Sequence, residues 1–139
     1  MKDPLIIERT YNAPTEKVWR AITDVEQMRR WYFDLEDFKP EVGFTFEFTG
    51  QSDCGDYVHF CEVTEVVEGR KITYSWSYKD YEGMSHVSWE LFPEGGQTRL
   101  VLTHTGLGTF PPLKDFTRES FTGGWTYFVH DALRKFLEG

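Results

Sequence analysis

Apolar residues near the C-terminus recur at spacings of three and four, and this pattern constrains the fold more than any other feature. The stripe consists of Phe121, Trp125, Phe128, Val129, Ala132, Leu133 and Phe136. Such spacing places all of these side chains on one face of a helix. We therefore predict a long helix over about residues 115–137.

The sequence before this helix contains six short runs rich in β-branched and aromatic residues. Apolar and polar residues alternate in these runs, most clearly in 44–49 and 72–78, as expected for strands with one buried face. The predicted strands cover residues 5–11, 44–49, 57–67, 72–78, 86–92 and 99–104. Polar turns around 50–55 and 93–96 separate some of them, and strands joined by short turns pair antiparallel.

Two short helices are predicted between the first and second strands. Pro14 suits the first turn of a helix, where its missing N–H would have no partner in any case. Asp24 followed by Gln27 resembles a capping box and indicates a second helix that ends near Trp31 and Tyr32.

One long helix laid across one curved antiparallel sheet is the simplest arrangement that buries both apolar surfaces. We therefore expect an α+β fold in which a six-stranded sheet wraps around the C-terminal helix, within one domain over residues 1–139. Such a fold encloses space between helix and sheet, and enclosed space lined by aromatic side chains suits small apolar molecules.

Composition narrows the classes of partner. The formal net charge is −8 and aromatic residues make up 17% of the chain. An acidic chain is a poor match for nucleic acid and for anionic membranes, which attract basic surfaces.

The sequence shows no signal peptide and no membrane-spanning run, so we expect no membrane insertion and a cytoplasmic protein. Cys54 and Cys61 fit neither a redox pair nor a zinc site, and we expect reduced thiols.

Several segments, in order, resemble the START-like, or SRPBCC, superfamily, in its branch of heat-shock protein 90 ATPase activator homologues (AHSA-type). The segments are residues 7–14, residues 18–23, Trp31-Tyr32, residues 71–76, residues 98–104 and Gly124-Trp125. The resemblance covers nearly the whole chain. It implies a helix-grip fold, in which a curved antiparallel sheet wraps around the C-terminal helix and two short helices follow strand 1.

The resemblance also implies a choice of functions. Many members bind lipids, polyketides or other hydrophobic molecules in the cavity, and some are cyclases, lyases or hydrolases. The eukaryotic chaperone activators carry an additional N-terminal domain, for which 139 residues leave no room. We expect binding of a hydrophobic or lipid-like small molecule, with an enzyme and a chaperone ATPase-activator-like interaction module as alternatives. A homodimer is left open.

The expected pocket is formed by the inward faces of the sheet, the long helix and the second short helix. The candidate ligand-binding residues are Trp31, Phe46, Phe48, Tyr74, Trp76, Trp89, Leu102, His104, Trp125, Phe128 and Val129. The alternative is that these side chains pack together as core. A dry void of about 300 Å³ would cost about 7 kcal/mol, so any large space should be wet, occupied or smaller.

No established catalytic motif is present, and we expect no cofactor and no metal. The four histidines show no zinc-ligand spacing, although His59 and His86 could meet on adjacent strands. His104 is either a polar group inside the cavity or a satisfied core histidine. An enzyme would need a strand carboxylate, from Glu47, Glu62 or Glu90, to enter the pocket.

The Gly123-Gly124 pair allows two interpretations. In one, the regular helix begins only at Trp125, because glycine costs about 1 kcal/mol relative to alanine inside a helix. In the other, the pair lies within the helix and either lets it approach the sheet closely or lets its N-terminal end open as a gate.

Overall fold

The computed structural model describes residues 4–52 and 55–139. The elements in chain order are β1 (Leu5–Tyr11), α1 (Thr15–Thr23), α2 (Val25–Trp31), β2 (Thr45–Ser52), β3 (Gly55–Val67), β4 (Lys71–Tyr78), β5 (Ser85–Glu94), β6 (Gln97–Thr105), two 3-10 turns (Leu107–Thr109 and Lys114–Phe116) and a C-terminal helix over residues 118–138. This α+β architecture is the predicted helix-grip fold, and each predicted strand is present within a few residues of its expected bounds.

The six strands form one curved antiparallel sheet in the order β1-β6-β5-β4-β3-β2. Strands β2 to β6 follow one another as a meander, whereas β1 pairs with β6, from Leu5 opposite His104 to Tyr11 opposite Thr98. The β3–β4 register shifts between Val63 and Glu65. A bulge of this kind bends its strand and increases the local twist.

The β5–β6 hairpin is tighter than the four-residue turn predicted over 93–96. Its last pair is Glu94 opposite Gln97, so the connection contains only Gly95 and Gly96. Both glycines have positive φ, at 59° and 86°. This conformation matches the twist of the flanking strands and is one that other residues rarely adopt.

Helices α1 and α2 confirm the two predicted short helices. Pro14 occupies the N-cap position of α1, just before the first turn. Asp24 ends α1 and caps α2, where its carboxylate accepts a hydrogen bond from the Glu26 amide at 3.3 Å. Lys17 ties α1 to the end of the C-terminal helix by donating to the Leu137 carbonyl at 2.8 Å.

The C-terminal helix begins at Arg118, three residues later than predicted. Residues 114–116 form a separate 3-10 turn, and the Thr117 hydroxyl accepts a hydrogen bond from the Ser120 amide at 3.1 Å. Threonine satisfies a free amide at a helix start, which fixes the boundary. Gly123 and Gly124 therefore lie inside the helix, and the interpretation that started the regular helix at Trp125 is wrong.

The helix contains a π-helical segment, Tyr127–Ala132, between α-helical Arg118–Thr126 and Leu133–Glu138. The Leu133 amide donates to the Phe128 carbonyl, five residues back. The buried helix residues are Phe121, Trp125, Val129, Leu133 and Leu137. A step of four residues rotates a regular α-helix by about 40°, and the wider π turns offset part of this drift.

The same shift explains one error in the predicted stripe. Leu137 is buried, whereas Phe136 is only partly buried. A 3.6-residue period places Phe136 on the inner face, but the π segment moves the buried face on by about one residue.

The interior beneath the helix is packed rather than hollow. Trp89, Tyr74, Leu102 and Val129 are each at most 2% exposed. The Trp89 ring meets Trp125 edge-on, with 5.8 Å between ring centroids. Space for a ligand therefore lies at the margins of the helix–sheet interface.

Two of the expectations concern the state of the cysteines and the presence of membrane-spanning helices. Cys61 is a buried thiol whose pKa is raised by burial, while Cys54 lies outside the described residues. Among the helices of residues 4–52 and 55–139, none has the length and apolar character needed to cross a bilayer.

Candidate functional site

A cleft of about 400 Å³ opens along the N-terminal half of the C-terminal helix, facing the ends of β2, β3 and β4. It is lined by Phe33, Gly50, Tyr57, His59, Trp76, Tyr78, Asp115, Phe116, Ser120, Phe121, Gly124, Trp125, Tyr127 and Phe128. The lining is mainly aromatic and is open to solvent on one side. Its size lies in the range of small-molecule sites.

Aromatic rings pack against one another around this cleft, in edge-on, tilted and stacked arrangements. Trp76 from β4 and Trp125 from the helix have ring centroids 5.1 Å apart. Phe33 lies in the segment after α2, and its ring centroid is 5.1 Å from that of Phe128 and 4.2 Å from that of Phe48. These rings hold one another in place, so the cleft presents a preformed apolar wall.

The lining of the cleft also includes polar groups. The Tyr57 hydroxyl donates to the Asp115 carboxylate at 2.8 Å and joins β3 to the 3-10 turn before the helix. The Tyr78 hydroxyl accepts a hydrogen bond from the Trp76 indole at 2.9 Å, and burial raises the pKa of Tyr78. These groups can offer hydrogen bonds to a guest with a polar edge.

His59 forms a further part of the wall. Its Nδ1–H donates to the Tyr57 carbonyl at 3.0 Å, and its ring stacks on Phe48 at 4.5 Å. Burial lowers the pKa of His59 to about 4, against the opposing effect of hydrogen bonds to the backbone. The imidazole is therefore neutral at neutral pH. Gly50 makes room for it, since a Cβ at that position would lie 2.6 Å from the ring.

A buried hydrogen-bond chain connects the helix to the sheet behind the cleft. The Trp125 indole N–H donates to His104 Nδ1 at 3.0 Å, so the proton of the neutral imidazole lies on Nε2. His104 Nε2 donates to the Ser85 hydroxyl at 2.8 Å, and that hydroxyl donates to the Trp76 carbonyl at 2.8 Å. Burial, with a smaller effect from His86, lowers the pKa of His104 to about 3.

A second buried cluster links α2 to the sheet. The Trp89 indole donates to the Tyr74 hydroxyl at 3.0 Å, and the Tyr74 and Tyr32 hydroxyls lie 2.8 Å apart. Burial raises the pKa of both tyrosines. Each buried aromatic polar atom in this cluster has a protein partner, as expected for groups that hold a core together.

A family model described as Activator of Hsp90 ATPase homolog 1-like protein matches residues 12–138. The chain belongs to this family. The resemblance to the activator branch of the START-like superfamily is thereby confirmed, and so is the fold that it implied. The family and its fold support a ligand-binding domain in general terms.

Solved structures agree with the assignment. Protein MLL2253 from Mesorhizobium loti is 30% identical, with a TM-score of 0.77, and the match covers 98% of this chain and 97% of that chain. CalU16 from Micromonospora echinospora is 26% identical, with a TM-score of 0.74, covering 97% of this chain and 76% of that chain. CV1439 from Chromobacterium violaceum has a TM-score of 0.82 at 19% identity, covering 100% and 99%, and shows the fold alone. No curated protein matches the chain.

Within this family member, the predicted ligand-binding residues fall into two groups. Trp76, Trp125 and Phe128 line the cleft. The other eight lie elsewhere and are all at most 9% exposed: Trp31, Phe46, Phe48, Tyr74, Trp89, Leu102, His104 and Val129. Phe48 and His104 contact residues of the cleft wall, through Phe33 and Trp125, and so support it from behind.

The cleft also contains residues that the sequence did not single out. Phe33 follows α2 without any periodic pattern, and Phe116 lies in a 3-10 turn, so neither carried a strand or helix signal. Tyr78 continues the every-second-residue pattern of Tyr74 and Trp76 and could have been found by extending it. His59 lies on β3, for which no inward residues were predicted. Gly124, from the glycine pair noted in the sequence, lines the cleft as well. A Cβ at either glycine of the pair would meet nothing within 4 Å, so the interpretation that the pair lets the helix approach the sheet closely is wrong.

The candidate catalytic and metal-binding groups do not converge. Glu47 and Glu62 are exposed and Glu90 is partly exposed, and none lines the cleft. The sequence suggested that His59 and His86 could meet on adjacent strands. This is wrong, because β4 lies between β3, which carries His59, and β5, which carries His86. In residues 4–52 and 55–139, no group of three or more His, Cys, Asp or Glu side chains could hold a metal ion.

Proposed function

We propose that this chain binds a hydrophobic or amphipathic small molecule in the cleft and does not transform it. The observation that carries the proposal is the cleft itself, about 400 Å³ in volume and walled by Trp76, Trp125, Phe128 and Phe33. Aromatic walls with a few polar groups favour flat apolar ligands. We treat residues 1–139 as one domain with this role.

The chemistry of the wall supports binding rather than catalysis. His104, which the sequence offered as a polar group inside the cavity, has both ring nitrogens engaged with Trp125 and Ser85. In the cleft, the Asp115 carboxylate accepts from Tyr57, and His59 donates to the backbone. These hydrogen bonds stabilise the wall and hold the groups in place.

The description of one structural neighbour refers to biosynthesis. DynU16 belongs to the dynemicin biosynthetic locus, and its match to this chain has a TM-score of 0.80 at 22% identity, covering 99% of this chain and 48% of that chain. That likeness shows the fold alone. We carry over from it only the idea that a protein of this shape can belong to a biosynthetic locus.

The test uses N-phenyl-1-naphthylamine, an uncharged aromatic dye that fluoresces in apolar sites. We expect the folded protein to bind it and the dye to quench Trp76 and Trp125 fluorescence. Gly124→Leu places a side chain in the cleft, whose wall leaves that position open, and should weaken binding about tenfold or more. Gly123→Leu is the matched control, because Gly123 has equally open surroundings but does not line the cleft.

Two results would contradict the proposal. One is dye binding that appears only after unfolding, which would indicate a filled core. The other is equal affinity for both leucine variants, with circular dichroism showing both to be folded. Turnover of a bound ligand by the wild-type protein would instead favour the enzyme.

A second candidate function comes from the family description, which refers to activators of the Hsp90 ATPase. Under this alternative the domain contacts the chaperone, and both proteins share the cytoplasm that we propose for this chain. The measurement is ATP hydrolysis by Hsp90 at rising concentrations of the protein. An unchanged hydrolysis rate over that range would remove this alternative.

A further inference from the structure

A second cavity lies beside the cleft, between α2 and the C-terminal half of the long helix. This groove, about 460 Å³ in volume, is lined by Arg30, Trp31, Tyr32, Tyr127, Phe128, Ala132, Lys135 and Phe136. It shares Tyr127 and Phe128 with the cleft. The two cavities are therefore neighbours, with these two rings as the ridge between them.

The ridge is fixed from both sides. The ring centroid of Phe128 lies 5.1 Å from that of Phe33, which lines the cleft, and 5.0 Å from that of Tyr32, which lines the groove. Tyr127 is 56% exposed and lies at the outer edge of the ridge. A guest can thus lie across the ridge with one part in each cavity.

The two cavities differ in charge. The charged side chains of the groove are Arg30 and Lys135, both cationic, whereas the charged side chain of the cleft is Asp115. Arg30 and Lys135 are exposed and have no ion-pair partner among the described residues. In a chain of net charge −8, two cations without an ion-pair partner on one groove form a local site for an anion.

Arg29, the neighbour of Arg30 on α2, differs from it in its hydrogen bonds. Arg29 donates to the Leu35 and Glu36 carbonyls and to the Glu26 carboxylate, at 2.6 to 2.8 Å. Its role in the fold is therefore clear. Arg30 makes no comparable side-chain bond to any residue in 4–52 or 55–139 and lines the groove, so its guanidinium is available to a ligand.

We infer that the ligand is an amphipathic organic anion, with its apolar body in the cleft and its carboxylate, sulfonate or phosphate in the groove between Arg30 and Lys135. This rests on the proposed function, since it assigns the ligand class of the same site. The floor of the groove can contact the apolar part of the ligand next to its anionic group, because it includes Trp31. This side chain is 5% exposed, and its ring centroid lies 6.2 Å from that of Phe128. Planar guanidinium groups bind such oxyanions through paired hydrogen bonds.

The test compares two dyes that share one aromatic framework. N-phenyl-1-naphthylamine is neutral, and 1-anilinonaphthalene-8-sulfonate carries an additional sulfonate. Arg30→Gln/Lys135→Gln should weaken sulfonate binding about five- to twentyfold and change binding of the neutral dye less than about twofold. Raising the salt concentration from about 0.02 M to about 0.5 M should reduce the difference.

The matched control is Lys39→Gln/Arg70→Gln, which removes the same charge from two exposed positions outside both cavities. It should leave the affinity for both dyes within about twofold of wild type. Gly124→Leu should weaken both dyes, which places the aromatic body in the cleft.

The outcomes separate the two proposals. If the neutral dye binds in the cleft but the sulfonate is insensitive to Arg30 and Lys135, the anion site is overturned and the proposed function stands. An equal loss of both dyes in the groove variant would also overturn the anion site. If the wild-type protein binds neither dye, both proposals fail.

Discussion

The Tyr11 hydroxyl donates a hydrogen bond of 2.5 Å to the Val129 carbonyl, and so joins strand β1 to the π-helical segment of the C-terminal helix. In a regular α-helix the Leu133 amide would donate to this carbonyl, but here it donates to Phe128. The sheet thus supplies a donor where the helix departs from its usual pattern.

Tyr11→Phe should therefore destabilise the protein by about 1–3 kcal/mol, because the Val129 carbonyl loses a buried hydrogen-bond donor. The measurement is urea unfolding followed by circular dichroism. Tyr127→Phe is the control, since Tyr127 is exposed, and it should change the free energy of unfolding by less than about 0.5 kcal/mol. Equal stabilities of the two variants would contradict a structural role for the Tyr11 hydroxyl.

Trp125 should contribute through both its volume and its indole N–H. Trp125→Ala is expected to cost about 3–5 kcal/mol, since the side chain is 3% exposed. Trp125→Phe keeps much of the ring but removes the donor to His104, and should cost about 1–3 kcal/mol. A loss under about 1 kcal/mol for the alanine variant would place this side chain in water, against the observed packing.

The two buried histidines should make stability depend on pH. The pKa values of His59 and His104 fall from 6.5 in an unfolded chain to about 4 and about 3. The unfolded state therefore takes up these protons first. The stability contribution is complete above about pH 6.5 and is lost as the pH falls towards those lower values, by about 1.4 kcal/mol per pH unit for each histidine.

His104→Gln tests this dependence. The variant should be less stable than wild type at pH 7, because Trp125 loses its acceptor, but its stability should decline less steeply between about pH 6 and pH 4.5. Urea unfolding at a series of pH values measures both. Parallel curves for the two proteins would show that His104 does not contribute to the pH dependence.

Gly50 should resist substitution by any larger residue. A Cβ at Gly50 would lie 2.6 Å from His59 Cε1, and the ring is held by its stacking on Phe48 and its bond to Tyr57. Gly50→Ala should cost about 1–3 kcal/mol from overpacking.

The matched substitution is Gly123→Ala. It has open surroundings inside a helix and should stabilise the protein by up to about 1 kcal/mol. If both alanine variants shift the thermal midpoint in the same direction, the proposed contact with His59 is wrong.

Part of the cleft could be predicted because it depends on local periodicity. Trp76 belongs to an alternating strand, and Trp125 and Phe128 belong to the helical stripe, so their inward direction follows from spacing alone. Phe33 and Phe116 could not be found in this way. They lie outside regular elements, and they line the cleft only because the chain after α2 and the turn before the helix meet at the same end of the sheet.

The sequence by itself determined the number and type of elements, since alternation and helical spacing are properties of neighbouring residues. It also determined which faces must be buried. The tertiary structure decided that β1 pairs with β6, that Leu137 rather than Phe136 enters the core, and that the interior is filled while a cleft opens at its margin. These features depend on the curvature of the sheet and on the π-helical segment, which arise when distant segments such as Tyr11 and Val129 come into contact.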